Sequence, residues 1–143
     1  MDANRNGKRH RPVVAIISST VESIDLLDEF LHSEGFATVN AYVIEFKRGM
    51  RDLDTFFHDY QPQAVIYDIA LPYRENWAFL HEHVLARNLL PASAFVITTA
   101  NRTALEALVG STQAIELIGC PSDLDVIAQA VTKAIANSGA PER

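Results

Sequence analysis

The sequence predicts an α/β domain: a five-stranded parallel sheet with helices on both faces. Three observations carry this. Short apolar runs rich in β-branched residues, such as 13–17, 64–67 and 95–97, alternate along the chain with stretches whose apolar residues recur at helical spacing. The runs are continuous, as suits strands buried on both faces, and serial βα units imply a parallel sheet with covered faces. The chain has 143 residues, 48% hydrophobic and 21% charged, which is one domain with an ordinary core.

The elements follow in order. Val13 to Ile17 reads as the first strand. Ser19-Thr20-Val21-Glu22 matches a capping box with Ser19 as the cap; Ile24, Leu27 and Leu31 give the helix its apolar face, and Gly35 closes it. Phe36 to Ile44 reads as the second strand. Leu53, Phe56, Phe57 and Tyr60 mark a second helix, ended by Pro62. The third strand, 64–67, delivers Asp68 at its carboxyl end. Trp77, Leu80 and Val84 form the stripe of a third helix, Phe95-Val96-Ile97 a fourth strand, and Arg102 to Val109 a fourth helix. Ile115 to Ile118 is the fifth strand. Ser122 caps a last helix whose buried face is Leu124, Ile127, Ala128, Val131 and Ile135. The domain spans 12–137. Flexible tails are expected at 1–11, which holds Arg5, Lys8, Arg9, His10 and Arg11, and at 138–143.

Composition narrows the function. A net charge of −6 argues against nucleic-acid binding, which rests on neutralising phosphates with Lys and Arg. No apolar run approaches the roughly 20 residues that span a bilayer, and residues 1–12 lack the apolar core of a secretory signal, so a cytoplasmic location is expected. The single cysteine, Cys120, excludes an intrachain disulfide. His81 and His83 are two apart on a helix and diverge, a poor metal pair, so both are expected in solvent. Tyr73 and Trp77 lie near the Asp68 loop as packing residues.

In open parallel sheets the working site lies at the carboxyl ends of the strands, beside the switch in strand order. The residues there are Ser18, Ser19, Asp68, Thr99 and Cys120. Asp68-Ile69-Ala70-Leu71-Pro72, Thr98-Thr99-Ala100 and Cys120-Pro121, each after its strand, make residues 12–137 resemble the receiver domain of bacterial response regulators, a (βα)5 flavodoxin-like fold of two-component signalling. The resemblance implies Asp68 as the position that accepts a phosphoryl group from a histidine kinase. It implies Ser18 and Ser19 at the places of an acidic pair that holds Mg²⁺, Thr99 as a phosphate contact, and Cys120 where the family has a lysine. Leu117 replaces the family's aromatic switch residue.

These departures bear on the chemistry. Phosphoryl transfer rests on positioning and charge neutralisation, and Mg²⁺ prefers carboxylates and water. Asp68 and the Ala70 carbonyl remain as ligands; two serines and a cysteine supply neither charge. Arg74 and Arg102 are the cations that could swing toward the site, and nothing in the sequence places them there. The expectation is a degenerate receiver without cofactor or catalytic activity. It would bind a histidine kinase or another signalling protein through the fourth helix, fifth strand and fifth helix, and a homodimer is compatible with this. Two alternatives stay open: a phosphorylatable single-domain response regulator that uses Asp68 with Mg²⁺, and a small anionic-ligand-binding domain built on the Ser18-Ser19-Thr20 loop. No Ser-His-Asp or Cys-His arrangement is suggested by the strand ends, so no enzyme is expected.

Overall fold

A computed structural model describes residues 11–109, 116–119 and 124–137. Five parallel strands are ordered β2-β1-β3-β4-β5: β1 Val13–Ser18, β2 Ala37–Tyr42, β3 Ala64–Ile69, β4 Phe95–Thr99 and β5 Glu116–Gly119. The chain steps from β1 outward to β2, then crosses to β3 on the other side of β1. The switch in strand order therefore falls between β1 and β3, as the sequence required for a site at Asp68.

Among the described residues six α-helices accompany the strands, the last of them after β5: α1 Val21–Ser33, α2 Val43–Lys47, α3 Leu53–Tyr60, α4 Tyr73–Phe79, α5 Arg102–Val109 and α6 Leu124–Asn137. Alternation along the strands divides the core into two layers. Val14, Ile16, Ala64, Ile66 and Val96 face α1 and α6, packing on Ile24, Leu27, Leu31, Ile127 and Val131. Ala15, Ile17, Val65, Tyr67, Ile69, Phe95 and Ile97 face the other helices, packing on Phe46, Phe56, Phe57, Leu80 and Leu105. Both sheet faces are thus covered, which explains why the strand segments read as continuous apolar runs.

Three expectations are corrected. The cap of α1 is Thr20, whose side chain accepts the Ser23 N–H at 3.2 Å; Ser19 is exposed. The frame moves by one residue because Ser18, at the end of β1, turns its own Oγ back to accept the Thr20 N–H at 3.3 Å. The second strand ends at Tyr42 and not at Ile44. Val43 and Phe46, three apart, are buried on one side of α2, and the Glu45 carboxylate accepts the Tyr42 N–H at 2.9 Å. A β-branched pair, Val43-Ile44, thus lies in a helix because its neighbours cap and bury it there. Arg11, assigned to the tail, donates from its guanidinium to the carbonyls of Gly35 and Phe36, each at 3.2 Å.

The ends of α1 and α3 fall where the sequence placed them. Gly35 ends α1 with φ +96°, a conformation that favours glycine, and the Phe36 N–H returns to the Leu31 carbonyl at 3.0 Å. Asp52 caps α3 by accepting the Thr55 N–H at 2.9 Å, and Gln61, left-handed at φ 46°, ends it before Pro62. After α4 the helix continues through one wider turn, Leu80–Val84, and a tight turn, Leu85–Arg87. That turn buries Leu80 and Val84 and leaves His81 and His83 exposed, tilted over Trp77 and Phe79 at ring-centre distances of 5.7 and 5.0 Å. In α6, Ile127 and Val131 are buried as expected, together with Ala130 and Ala134, while Leu124, Ala128 and Ile135 are half-buried. The expected cap Ser122 and the tails 1–10 and 138–143 lie outside the described residues.

Moving the cap from Ser19 to Thr20 has a direct consequence. Thr20→Ala is expected to lower the unfolding free energy by about 1 kcal/mol, and Ser19→Ala by much less. Urea denaturation of the two variants checks the order; equal losses would contradict the Thr20 cap.

Candidate functional site

Strand alternation and register decide what meets at the carboxyl edge of the sheet. Ile16 pairs with Ile66 and Ile66 with Val96, all on the α1/α6 face. Two residues further along each strand, Ser18, Asp68 and Thr98 follow on that same face, and Asp68 stands opposite Thr98 in the register. The Thr98 hydroxyl donates to Asp68 Oδ1 at 2.7 Å. Thr99, the expected phosphate contact, projects to the opposite face. It is fully buried, and its hydroxyl donates to the Ile69 carbonyl at 3.0 Å. The threonine at the carboxylate is therefore Thr98; counting by twos from Val96 would have found it.

Asp68 is partly buried, and burial raises its pKa above the ordinary 3.8, opposed by the hydrogen bond from Thr98. Among the described residues no cation forms an ion pair with it. Arg102, one of the two arginines the sequence offered as cations, is held by Glu106 one helical turn on, at 3.0 Å. Arg74 is exposed at the start of α4. The position expected to replace the family's lysine, Cys120, lies outside the described residues, as does Pro121; of β5, which carries Leu117, the structure describes the backbone.

The two residues expected at the places of an acidic pair, Ser18 and Ser19, lie at the end of β1 and just beyond it. Ser18 is fully buried with its Oγ committed to the Thr20 N–H, and Ser19 is an exposed neutral hydroxyl. The Ala70 carbonyl accepts from the Asn76 side-chain amide at 2.7 Å, and Asn76 Oδ1 in turn accepts from Lys47 Nζ at 2.5 Å. Asn76 was invisible to sequence reasoning, since nothing in its spacing marks it as a tether. A Mg²⁺ ion prefers several hard oxygen donors, chiefly carboxylates and water, in octahedral array. One carboxylate already bonded to Thr98, one carbonyl already bonded to Asn76 and one inward-turned serine do not fit that ion. Among the described residues no group of three or more His, Cys, Asp or Glu side chains could hold a metal.

With that geometry in hand, comparison with known proteins places the fold. No protein-family model matches the chain, and no curated protein matches it in sequence. Solved structures do match. A sensor protein from Polaromonas sp. JS666 superposes with a TM-score of 0.67 at 18% identity, over 90% of this chain and 99% of that one. A protein described as a transiently phosphorylated switch in bacterial signal transduction gives 0.65 at 22%, over 91% and 98%. A response regulator receiver protein from Sinorhizobium medicae WSM419 gives 0.64 at 10%, over 90% and 97%. The chain has the fold of response-regulator receiver domains. Among the described residues no helix is long and apolar enough to cross a membrane.

The raised pKa fixes a sign for pH dependence. A carboxyl whose folded pKa exceeds its unfolded value contributes stability in full below about 3.8, and this is lost as pH climbs through the folded value. The stability of the wild type relative to Asp68→Asn is therefore expected to fall from pH 3 to pH 8. Thr98→Val, which removes the hydrogen bond opposing the shift, deepens that fall, whereas Thr99→Val leaves it unchanged. Urea midpoints across this range check the order; an effect of Thr99→Val with none from Thr98→Val would contradict the site geometry.

Proposed function

We propose that this protein is a receiver-like module of phosphorelay signalling that works by protein–protein contact and not by phosphorylation of Asp68. The observation that carries the reading is the state of Asp68. It is a partly buried carboxylate with a raised pKa, held by a neutral threonine, with no cation paired to it among the described residues. A phosphoacceptor needs positive charge at the reacting oxygens, because catalysis of phosphoryl transfer is almost entirely positioning and charge stabilisation. The serines in place of the acidic pair and the engaged Ala70 carbonyl support the same reading.

The partner is a histidine kinase or another signalling protein in the cytoplasm, met through α5, β5 and the outer side of α6. That surface carries exposed Arg102, Glu106, Asp125 and Gln129, with Val126 as an exposed apolar residue among them. The protein needs no cofactor in this role and performs no catalysis. The likeness to a transiently phosphorylated switch favours one second reading, a response regulator in which Asp68 is phosphorylated with Mg²⁺ supplied to an unusual site.

Intact-protein mass after incubation with acetyl phosphate, with and without Mg²⁺, separates the two. The expected result is no phosphoryl adduct on the folded protein under either condition. A Mg²⁺-dependent adduct that Asp68→Asn abolishes would overturn the proposal in favour of the second reading.

A further inference from the structure

A groove of about 190 Å³ lies over the other layer of the domain, between α2, the loop into α3 and the end of the α4 helix. Phe46, Leu53 and Phe79 give it an apolar lining, and Arg51, His83, Arg87 and the one acid in the wall, Asp52, whose carboxylate is engaged by the Thr55 N–H, contribute polar walls. His83 stacks on Phe79, and Lys47 Nζ stands 5.5 Å from the centre of the Phe79 ring. Between residues 12 and 137 the chain has seven Lys and Arg against sixteen Asp and Glu. Yet four of those seven, Lys47, Arg48, Arg51 and Arg87, belong to this groove or the turn beside it, facing three acids: Glu45, Asp52 and Asp54. Most cations of an acidic domain are thus gathered at one depression whose walls are part apolar and part polar.

They are also held in place. Arg51 donates to the Asn40 carbonyl at 3.1 Å, lies 5.2 Å from the Phe56 ring centre and approaches Glu45 at 3.9 Å. Lys47 is fixed by Asn76. Arg87 meets Asp54 at 3.1 Å with both side chains well exposed, a pair of the kind worth at most about 1 kcal/mol, so an incoming carboxylate displaces Asp54 at little cost. Size selects the occupant. Small-molecule sites typically run to roughly 300–1,000 Å³, too large a class for this groove, while a cavity of about 150 Å³ suffices for one benzene ring.

We infer that this groove binds an acidic peptide segment of a partner protein, one aromatic side chain entering between Phe46, Leu53 and Phe79 and flanking carboxylates meeting Arg51, Arg87 and Lys47. The surface is distinct from the α5–β5–α6 face and does not involve Asp68. It therefore stands or falls separately from the role proposed for that residue.

The probe is a fluorescein-labelled hexapeptide with one tryptophan flanked by glutamates, followed by anisotropy at low and at physiological salt. Saturable binding is expected, weakened by salt, and at least about tenfold weaker for Arg51→Glu combined with Arg87→Glu, with circular dichroism confirming the fold. Replacing the peptide's tryptophan by alanine, or its glutamates by glutamines, is expected to weaken it comparably, and Asp68→Asn to leave it unchanged. Absence of binding, equal binding by the glutamine peptide, or binding indifferent to the double charge reversal would overturn the proposal. So would displacement by equimolar inorganic phosphate, which would mark a small-anion site, or occupation by a second copy, seen as concentration-dependent self-association that excludes the peptide.

Discussion

Strand alternation in a sheet covered on both faces fixes which side chains meet at its carboxyl edge. Fully burying an aliphatic side chain is worth roughly 1.5–3 kcal/mol. Val14, Ile16, Ile66 and Val96 on one face, and Ile17, Val65 and Ile97 on the other, are each fully buried. The Thr98–Asp68 hydrogen bond is worth only about 1 kcal/mol net, or up to about 3 when the carboxylate is charged. The core therefore sets the register, and the hydroxyl–carboxylate pair follows from it. A slip of β3 by one residue would aim Asp68 into the layer of Tyr67 and Ile69, where a buried unpaired charge costs several kcal/mol.

The same constraint sets what the polar groups around Asp68 can do. Ser18 reaches the edge on the face of Asp68 and spends its hydroxyl on the backbone that starts α1. Asn76 spends its amide on the loop after β3 and is itself tied to Lys47. Ser18, Asn76 and Asp68 Oδ1 are thus each bonded locally, as buried polar groups tend to be. The one exception among buried side-chain atoms of the described residues is the Tyr67 hydroxyl, which has no partner and whose pKa burial pushes strongly upward; it sits on the opposite face of the sheet.

Much of this was legible in the sequence. The βα alternation, the strand that ends at Asp68, and the helices at 53–60 and 102–109 all follow from apolar periodicity and turn chemistry. The cap at Thr20 and the helix at Val43–Lys47 were displaced because their signals are short and compete with neighbours. Two hydroxyls, Ser19 and Thr20, both suit a cap, and a Val-Ile pair suits a strand until Glu45 closes the turn. At the site, Asp68 and the serines were readable by position. Thr98 was missed because the motif drew attention to the following threonine, and side-chain direction is a property of register. Asn76 was missed because its contact depends on where α4 sits relative to the β3 loop, which no local pattern encodes.

Central to the proposed function is that Asp68 is a carboxylate of the domain's edge, bonded by Thr98, and not the anchor of a divalent cation. The most direct measurement is a ¹³C NMR titration of the Asp68 side-chain carboxyl with and without millimolar Mg²⁺. The account predicts an apparent pKa above 3.8 that Mg²⁺ leaves in place. A pKa at or below that value, or one driven down when Mg²⁺ is added, would contradict it.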